Sequence, residues 1–416
     1  MVAKLLRMLQ KVPRILKTEG FGGVFRRILQ KLRIISTKAE PLVLYEFIMN
    51  TKQIPFSRKS YNEHKDDSVK ILNWVIPEMG EGSGGHTTIF RFISNLEKRG
   101  FHSRVYLFRA ESFFDNKALR TFVESAFPIL DSKVELYYDV KYIKFAHATF
   151  ATSWDTAYFV RNFENTISKF YFVQDFEPYF YAHGSDFQFA ENTYKFGLRG
   201  ITAGDWLRDK LNKEYGMKTD SFHFSYQRDV YYPVKRRNRK RRVFFYARPV
   251  TPRRDFELGL LALDELCRRL PDVEVIFAGW DLRDYVIPFK HRSFGVVTMQ
   301  KLAECYNQCD MCLVISNTNL SLVPLEVMAC GSVAVCSSGE NSSWMVNENN
   351  AVLVDYDPIE IANTMEYYFN NPDKMAAIRE KGLEFVKTTS WEREADKVKE
   401  VILEALEEDK EKKIDE

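Results

Sequence analysis

Ser316-Asn317-Thr318-Asn319-Leu320-Ser321-Leu322-Val323-Pro324-Leu325-Glu326-Val327-Met328-Ala329-Cys330-Gly331-Ser332-Val333-Ala334-Val335 is the most informative run in this chain of 416 residues. Met311 to Ile315 ahead of it reads as an apolar strand, and Ser332 to Cys336 as the next one. Between them come a polar loop and a short helix near Leu325 to Ala329, opened by Glu326. Strand, loop, helix and strand in succession are the unit of a mainly parallel sheet covered on both faces. A carboxylate at the opening of such a helix can accept two hydroxyl hydrogen bonds from a ribose. The backbone N–H groups of Ser321, Leu322 and Val323 can face phosphate or sugar oxygens. Small Ala329 and Gly331 allow close packing before the next strand.

The alternation extends outward in both directions. Upstream of the run lie a strand over Val243 to Ala247, a helix over Asp255 to Leu270, a strand over Val273 to Ala278 and a helix over Lys301 to Gln308. A strand over Ala351 to Val354 follows it. A first series starts near Lys70, with strands over Ile71 to Pro77, Ser103 to Phe108, Ala146 to Ala151, Phe170 to Val173 and Gly200 to Ala203. Its helices run over His86 to Arg99 and start near Ser153, Phe187 and Asp205. The pattern pauses between Lys218 and Arg242. The chain therefore divides into a basic amphipathic segment over 1–40, an α/β domain over 41–225, a second over 226–390 and a terminal helix over 391–416.

Two loops carry chemistry besides the first. Glu78-Met79-Gly80-Glu81-Gly82-Ser83-Gly84-Gly85 follows a strand and opens a helix, a setting in which backbone N–H groups bind phosphate or another anion. Gly84 and Gly85 would let a ligand approach the backbone; a tight strand-to-helix turn is the other reading. The loop is neither Gly-x-Gly-x-x-Gly nor a Walker sequence, which weighs against dinucleotide and P-loop sites. Tyr246-Ala247-Arg248-Pro249-Val250-Thr251-Pro252-Arg253-Arg254 lies at the carboxyl end of the second domain's first strand, where open α/β sheets place ligands. Arg248 and Arg253 on this Pro-stiffened turn can clamp a diphosphate and stabilise its charge as it leaves.

Composition sets the bounds. Hydrophobic residues make up 45% of the chain and aromatics 14%, enough for two cores and unlike a disordered chain. Net charge is only +3, so no nucleic-acid partner is expected. The charge is uneven: residues 1–40 carry ten Lys or Arg against two Glu, and seven of the eight positions from Lys235 to Arg242 are basic. Both segments suit an anionic membrane surface; a solvated face or loop, or packing of the first segment on the protein body, suits them equally. No signal peptide and no run of about 20 apolar residues is visible. The expected location is cytoplasmic, with peripheral attachment to the inner membrane face as an option. The six Cys, including Cys305, Cys309 and Cys312, read as small buried hydrophobes and not as zinc ligands. Asp355-Tyr356-Asp357 reads as a turn and helix cap before Pro358.

The run from Ser316 to Val335 resembles the nucleotide-binding signature of the GT-B glycosyltransferases, in the large retaining family typed by sucrose synthase and bacterial polysaccharide enzymes. That family has Glu, seven residues, Glu, then Ala-Met-Ala-x-Gly. Here Glu326 matches the second Glu, Val327-Met328-Ala329-Cys330-Gly331 matches the tail, and Thr318 replaces the first Glu. Arg248 and Arg253 match the family's Arg and Lys that hold the diphosphate. Lys301 to Tyr306 resembles the helix before the signature strand, and Trp391-Glu392-Arg393 the start of the helix that crosses back to the first domain. Tyr171-Phe172-Val173-Gln174-Asp175-Phe176-Glu177-Pro178 is similar to a segment of bacterial rhamnosyltransferases that build surface polysaccharides. The likeness covers roughly residues 70–405.

The resemblance implies two Rossmann-like domains facing across a cleft. It implies retaining transfer of a hexose, best read as L-rhamnose from a dTDP-rhamnose donor, onto a growing cell-surface glycan that can be lipid-linked. Catalytic roles then fall to Arg248, Asp175 and Glu177. Donor contacts fall to Gly84, Gly85, Tyr246, Arg248, Arg253, Thr298, Lys301, Ser321, Leu322, Val323 and Glu326. No metal and no other cofactor is implied. Two alternatives stay open: a sugar-nucleotide epimerase or glycogen-type phosphorylase on the same fold, and a membrane-peripheral scaffold with a decayed active site.

Overall fold

Lys-Ile-Leu-Asn-Trp-Val-Ile-Pro, residues 70–77, has no polar face, and in the computed structural model its six inner residues are all buried, as a strand covered on both sides requires. The structure describes residues 41–235 and 240–415, the last four of these by backbone alone. The basic segment over 1–40 lies outside the described residues. Residues 41–50 form two short helices, Pro41–Leu44 and Glu46–Met49, neither of which buries a side chain.

From Thr51 onward the chain builds two all-parallel sheets. The first holds β1 (Lys70–Pro77), β2 (Phe101–Phe108), β3 (Glu135–Tyr137), β4 (Ala146–Ala151), β5 (Thr166–Val173), β6 (Arg199–Ala203) and β7 (Thr219–Phe222), in the order β3-β2-β1-β4-β5-β6-β7. The second holds β8 (Arg242–Tyr246), β9 (Glu274–Ala278), β10 (His291–Ser293), β11 (Met311–Val314), β12 (Val333–Ser337) and β13 (Val352–Val354), in the order β10-β9-β8-β11-β12-β13. Both orders run outward from the first strand and then reverse, the doubly wound arrangement that leaves a crevice at the carboxyl ends where the order switches. The switch points lie between β1 and β4 and between β8 and β11.

Aromatic residues explain how the first sheet packs. Trp74, Phe150 and Phe170 stand in register on β1, β4 and β5. Their rings stack at 4.1 Å and 4.8 Å between centroids. In the second sheet successive residues alternate between two cores: Phe244 and Cys312 face one, Phe245 and Leu313 the other. The first of these cores is continuous with that of the first sheet. The helix Trp391–Asp415 returns to the first sheet, burying Ala395, Val398, Ile402 and Leu406 at helical spacing. Asp409 holds Arg199 at the start of β6 (2.8 Å) and accepts from Ser168 in β5 (2.9 Å). Gly204 marks a close approach of the two halves: its φ is +84°, and a Cβ there would lie 2.4 Å from the Trp344 ring.

Several segments differ from the sequence reading. β3, β7, β10 and the helix Asn116–Ala126 were not foreseen. The three strands are short edge or near-edge pieces without a long apolar run. The signature helix begins at Val323, two residues before the expected start, and keeps Glu326 in its first turn. In the basic run, Arg242 is neither a wet loop residue nor available to lipid. It starts β8, is buried, and pairs through Nε with buried Glu274 of β9 at 2.7 Å. Residues 236–239 lie outside the described set.

Candidate active site

Loops from both switch points surround a cavity of about 310 Å³. On the first-sheet side, Ser83, Gly84, Gly85 and His86 follow β1, Thr152 and Ser153 follow β4, and Gln174, Asp175, Glu177 and Phe180 follow β5. On the other side, Arg253 and Arg254 follow β8, while Asn319, Ser321 and Leu322 follow β11. The topology thus puts all of these segments at strand ends, where side chains can change without disturbing the sheets.

Positive charge dominates the second-domain side. Arg254 donates through Nη1 to the Asn319 carbonyl at 2.8 Å. The Arg253 guanidinium lies across the cleft over the Phe180 ring, 4.2 Å from its centroid. Burial holds both groups below the usual arginine range and the charge of Arg248 pushes both further down; Arg253 adds to the effect on Arg254, which falls to about 10. Asp175, 8% exposed, is the carboxylate that faces both. Burial raises the Asp175 pKa, although the Thr318 hydroxyl, the two arginines and the Asn319 amide all favour its charged form. Three guanidiniums against the carboxyls of Asp175 and Glu177, both raised by burial, leave a site short of negative charge.

Glu177 is held differently. Tyr171 donates its hydroxyl to one carboxyl oxygen at 2.6 Å, and the Trp154 amide donates to the other at 2.8 Å. Burial pushes this carboxyl up to about 8 despite both donors. With both oxygens engaged, Glu177 braces the start of the helix Trp154–Arg161 against the loop after β5. Its geometry is that of a positioning group and not of a base free to turn toward substrate. Glu326 is half-buried in a neighbouring cluster. It accepts from Tyr306 at 3.4 Å and from the Tyr231 hydroxyl, faces the charge of buried Arg91, and is pushed by burial up to about 7.

The sequence candidates therefore divide. Gly84, Gly85, Asp175, Glu177, Arg253, Ser321 and Leu322 line the cavity, and Arg248 stands close enough to act on its charges. Tyr246, Thr298, Lys301, Val323 and Glu326 do not line it. Thr298 caps the helix Met299–Gln308 by accepting from the Lys301 amide at 3.3 Å. The Lys301 ammonium pairs with Glu304 at 2.7 Å, one turn along its own helix, and lies over the Phe294 ring. The Ser321 amide donates to the Asn319 side chain at 2.7 Å and is not free to face a phosphate in this state. Asp357 caps the helix Pro358–Asn370, as the Asp-x-Asp reading expected. All six cysteines are buried free thiols.

Arg254, Asn319, Gln174, His86, Thr152, Ser153 and Phe180 were not foreseen in the site. Arg254 and Asn319 lay inside the two quoted runs. Thr152 and Ser153 directly follow a foreseen strand, so the rule that ligands gather at strand ends could have found them. Gln174 likewise directly follows a foreseen strand and lay in the quoted run from Tyr171 to Pro178. Phe180 carries no such signal.

Solved structures share this fold over four-fifths of the chain. Staphylococcus aureus TarM, in complex with fondaparinux, α-GlcNAc-glycerol and UDP, superposes with a TM-score of 0.65 at 9% identity, covering 80% of this chain and 100% of that one. Sucrose-phosphate synthase from Thermosynechococcus elongatus gives 0.62 at 13% identity, over 80% and 98%. The fold is GT-B. That bears out the resemblance drawn from the sequence. Residues 241–366 match the family model of the WsaF C-terminal domain, placing β8 to β13 of this GT-B chain within it. The O-antigen biosynthesis protein RfbC of Myxococcus xanthus is 31% identical over 340 residues, 79% of this chain and 27% of that protein. A D-inositol 3-phosphate glycosyltransferase of Thermobispora bispora is 34% identical over 110 residues, 26% of each. The chain thus spans about a quarter of the length of these relatives. Among the described residues, no helix of the GT-B chain is long and apolar enough to cross a membrane.

Proposed function

We propose that the chain is a glycosyltransferase of surface-polysaccharide assembly, moving a hexose from a nucleoside diphosphate donor onto a growing glycan with retention. The observation that carries this reading is the cluster of Arg248, Arg253 and Arg254 at a switch-point cavity, where Asp175 is the carboxylate facing Arg253 and Arg254 and Glu177 has both oxygens engaged elsewhere. A diphosphate supplies the missing negative charge, and charge-assisted bonds from planar guanidiniums are the strong way to hold it. The names of RfbC and of the Thermobispora bispora relative point to the same chemistry. L-rhamnose with dTDP remains the preferred donor on the likeness of Tyr171 to Pro178; UDP is the nucleotide in the TarM complex and in Anabaena HepE bound to UDP-glucose.

In this mechanism the acceptor oxygen bonds to the anomeric carbon on the face from which the diphosphate departs. The bond from that carbon to the phosphate oxygen breaks, and the acceptor proton passes to the departing phosphate. The arginines stabilise the growing charge in a cleft between the two sheets, where fixed dipoles and charges act more strongly than in open water. They supply that charge without a metal. Asp175 orients a sugar hydroxyl, Glu177 positions the loop that carries Asp175, and Glu326 holds the ribose once the nucleotide enters. Lys301 and Thr298 join the donor site by leaving their present partners. The acceptor is an oligosaccharide, lipid-linked in this reading, and the basic N-terminal segment is its contact with an anionic membrane. Product analysis with dTDP-rhamnose and UDP-sugars plus a saccharide acceptor tests the reading. A glycosidic product supports it, whereas epimerised or phosphorolysed sugar without transfer overturns it.

A further inference from the structure

Asn319 is 7% exposed and uses all of its polar groups, each on a different partner around the cavity. Its backbone N–H donates to Asp175 Oδ1 at 3.2 Å, and its side-chain Nδ2 donates to the Gln174 carbonyl at 3.0 Å. Both of these partners belong to the first domain. Within the second domain, its carbonyl accepts from Arg254 at 2.8 Å, and its Oδ1 accepts from the Ser321 amide at 2.7 Å. Gln174 continues the chain of bonds by donating through Nε2 to the Gly85 carbonyl at 3.1 Å. Asn319 thus joins the loop after β5, the arginine loop and the signature loop directly, and reaches the Gly-rich loop through Gln174.

One of those bonds has a specific conformational consequence. Ser321 has a φ of +63°, in the left-handed region that non-glycine residues seldom adopt. The contact from Asn319 Oδ1 to the amide two residues on is an Asx turn, a device that holds the backbone in such a bend. Strain of this sort persists only where neighbours fix it, and it gathers at functional sites. Asn319 therefore fixes the shape of the loop that faces the cavity and, through the Arg254 bond, the direction of one guanidinium.

We infer that Asn319 is a positioning residue for the donor diphosphate, holding Arg254 and the Ser321 bend in place and tying both to Asp175 and Gln174 across the cleft. This rests on the nucleoside diphosphate reading of the cavity. It adds that second-domain donor contacts and first-domain sugar contacts meet at one residue, whose backbone holds Arg254 and Asp175 while its side chain fixes the Ser321 bend and the tie to Gln174, so that donor affinity and domain closure rise and fall together.

The test uses the full chain with Asn319→Ala, Ser321→Gly and the double substitution. Two readouts are taken: amide hydrogen exchange of the ligand-free protein, and calorimetric titration with dTDP and with UDP. Asn319→Ala is expected to raise exchange at least tenfold over 318–323, leave β1, β8 and β11 protected, and weaken nucleotide binding at least tenfold. Adding Ser321→Gly, which adopts positive φ without a brace, is expected to recover binding at least threefold. Unchanged exchange, a uniform rise over the whole chain, or no recovery in the double substitution would each overturn the assignment. If the unaltered chain binds neither dTDP nor UDP, the nucleotide reading and the donor role of Asn319 fail together. The exchange data then decide by themselves whether Asn319 holds the loop.

Discussion

Replacing Arg248 with glutamine separates ligand binding from folding in a way few core changes can. The Arg248 charge acts against Arg253 and Arg254 in the ligand-free site, lowering the pKa of both. A hydrogen bond to a charged group is worth about 1.5–3 kcal/mol. At about 1.4 kcal/mol per decade, losing this guanidinium should weaken binding of a nucleoside diphosphate by roughly 10–150-fold. Folding should respond with the opposite sign. Like charges in one site repel and salt screens that repulsion, so relief of about 1 kcal/mol is a fair expectation. For domains of about 150–250 residues that raises the melting temperature by about 2–4 °C. Calorimetric titration with dTDP and UDP, paired with scanning calorimetry of the ligand-free chain, reads both effects. A melting temperature several degrees lower with affinity intact would show that Arg248 is a structural brace, and the charge-deficit reasoning would be wrong.

Other perturbations test separate parts of the account. Glu177 has its folded pKa raised from 4.5 to about 8, so the folded chain binds more protons than the unfolded one between those values. Its contribution to stability is present below about pH 4.5 and is lost as pH rises toward 8, with a slope of at most ~1.4 kcal/mol per pH unit. Glu177→Gln should flatten the fall in melting temperature of the parent over that range, and an unchanged profile would remove Glu177 from the argument. Gly204→Ala places a Cβ against Trp344 at positive φ; strain and overpacking together should cost about 2–4 kcal/mol in urea unfolding. Glu326→Gln should weaken nucleoside diphosphate binding about tenfold while leaving inorganic diphosphate binding unchanged, because only the former carries a ribose.

How much of this could be read from the sequence depends on the kind of contact involved. The switch-point strands β1, β4, β8 and β11 are mainly apolar and are followed by Gly, Ser, Arg or Asn loops, so their ends and the chemistry on them were legible. β7 and β10, Thr-Asp-Ser-Phe and His-Arg-Ser, carry no apolar run, because an edge strand need not be buried on every side. The site was legible one loop at a time. Arg253 over Phe180 and Asn319 on Asp175 join residues far apart in the chain, the latter pair by 144 positions, and local pattern does not encode such contacts. Lys301 shows the converse. Its place in the resemblance suggested a donor contact, but an acid three residues on, Glu304, takes its charge while no ligand is bound.

The central claim is that the cavity between the two sheets takes a nucleoside diphosphate. The most direct measurement is a thermal-shift titration of the full chain with dTDP, UDP and GDP, beside their monophosphates. At least one diphosphate is expected to stabilise the chain by about 2.7 kcal/mol at 100 times its dissociation constant. The matching monophosphate is expected to bind at least tenfold more weakly, and Arg254→Gln to abolish most of the shift. Equal shifts from mono- and diphosphates, or no shift from any of the three diphosphates up to millimolar concentration, would contradict the claim.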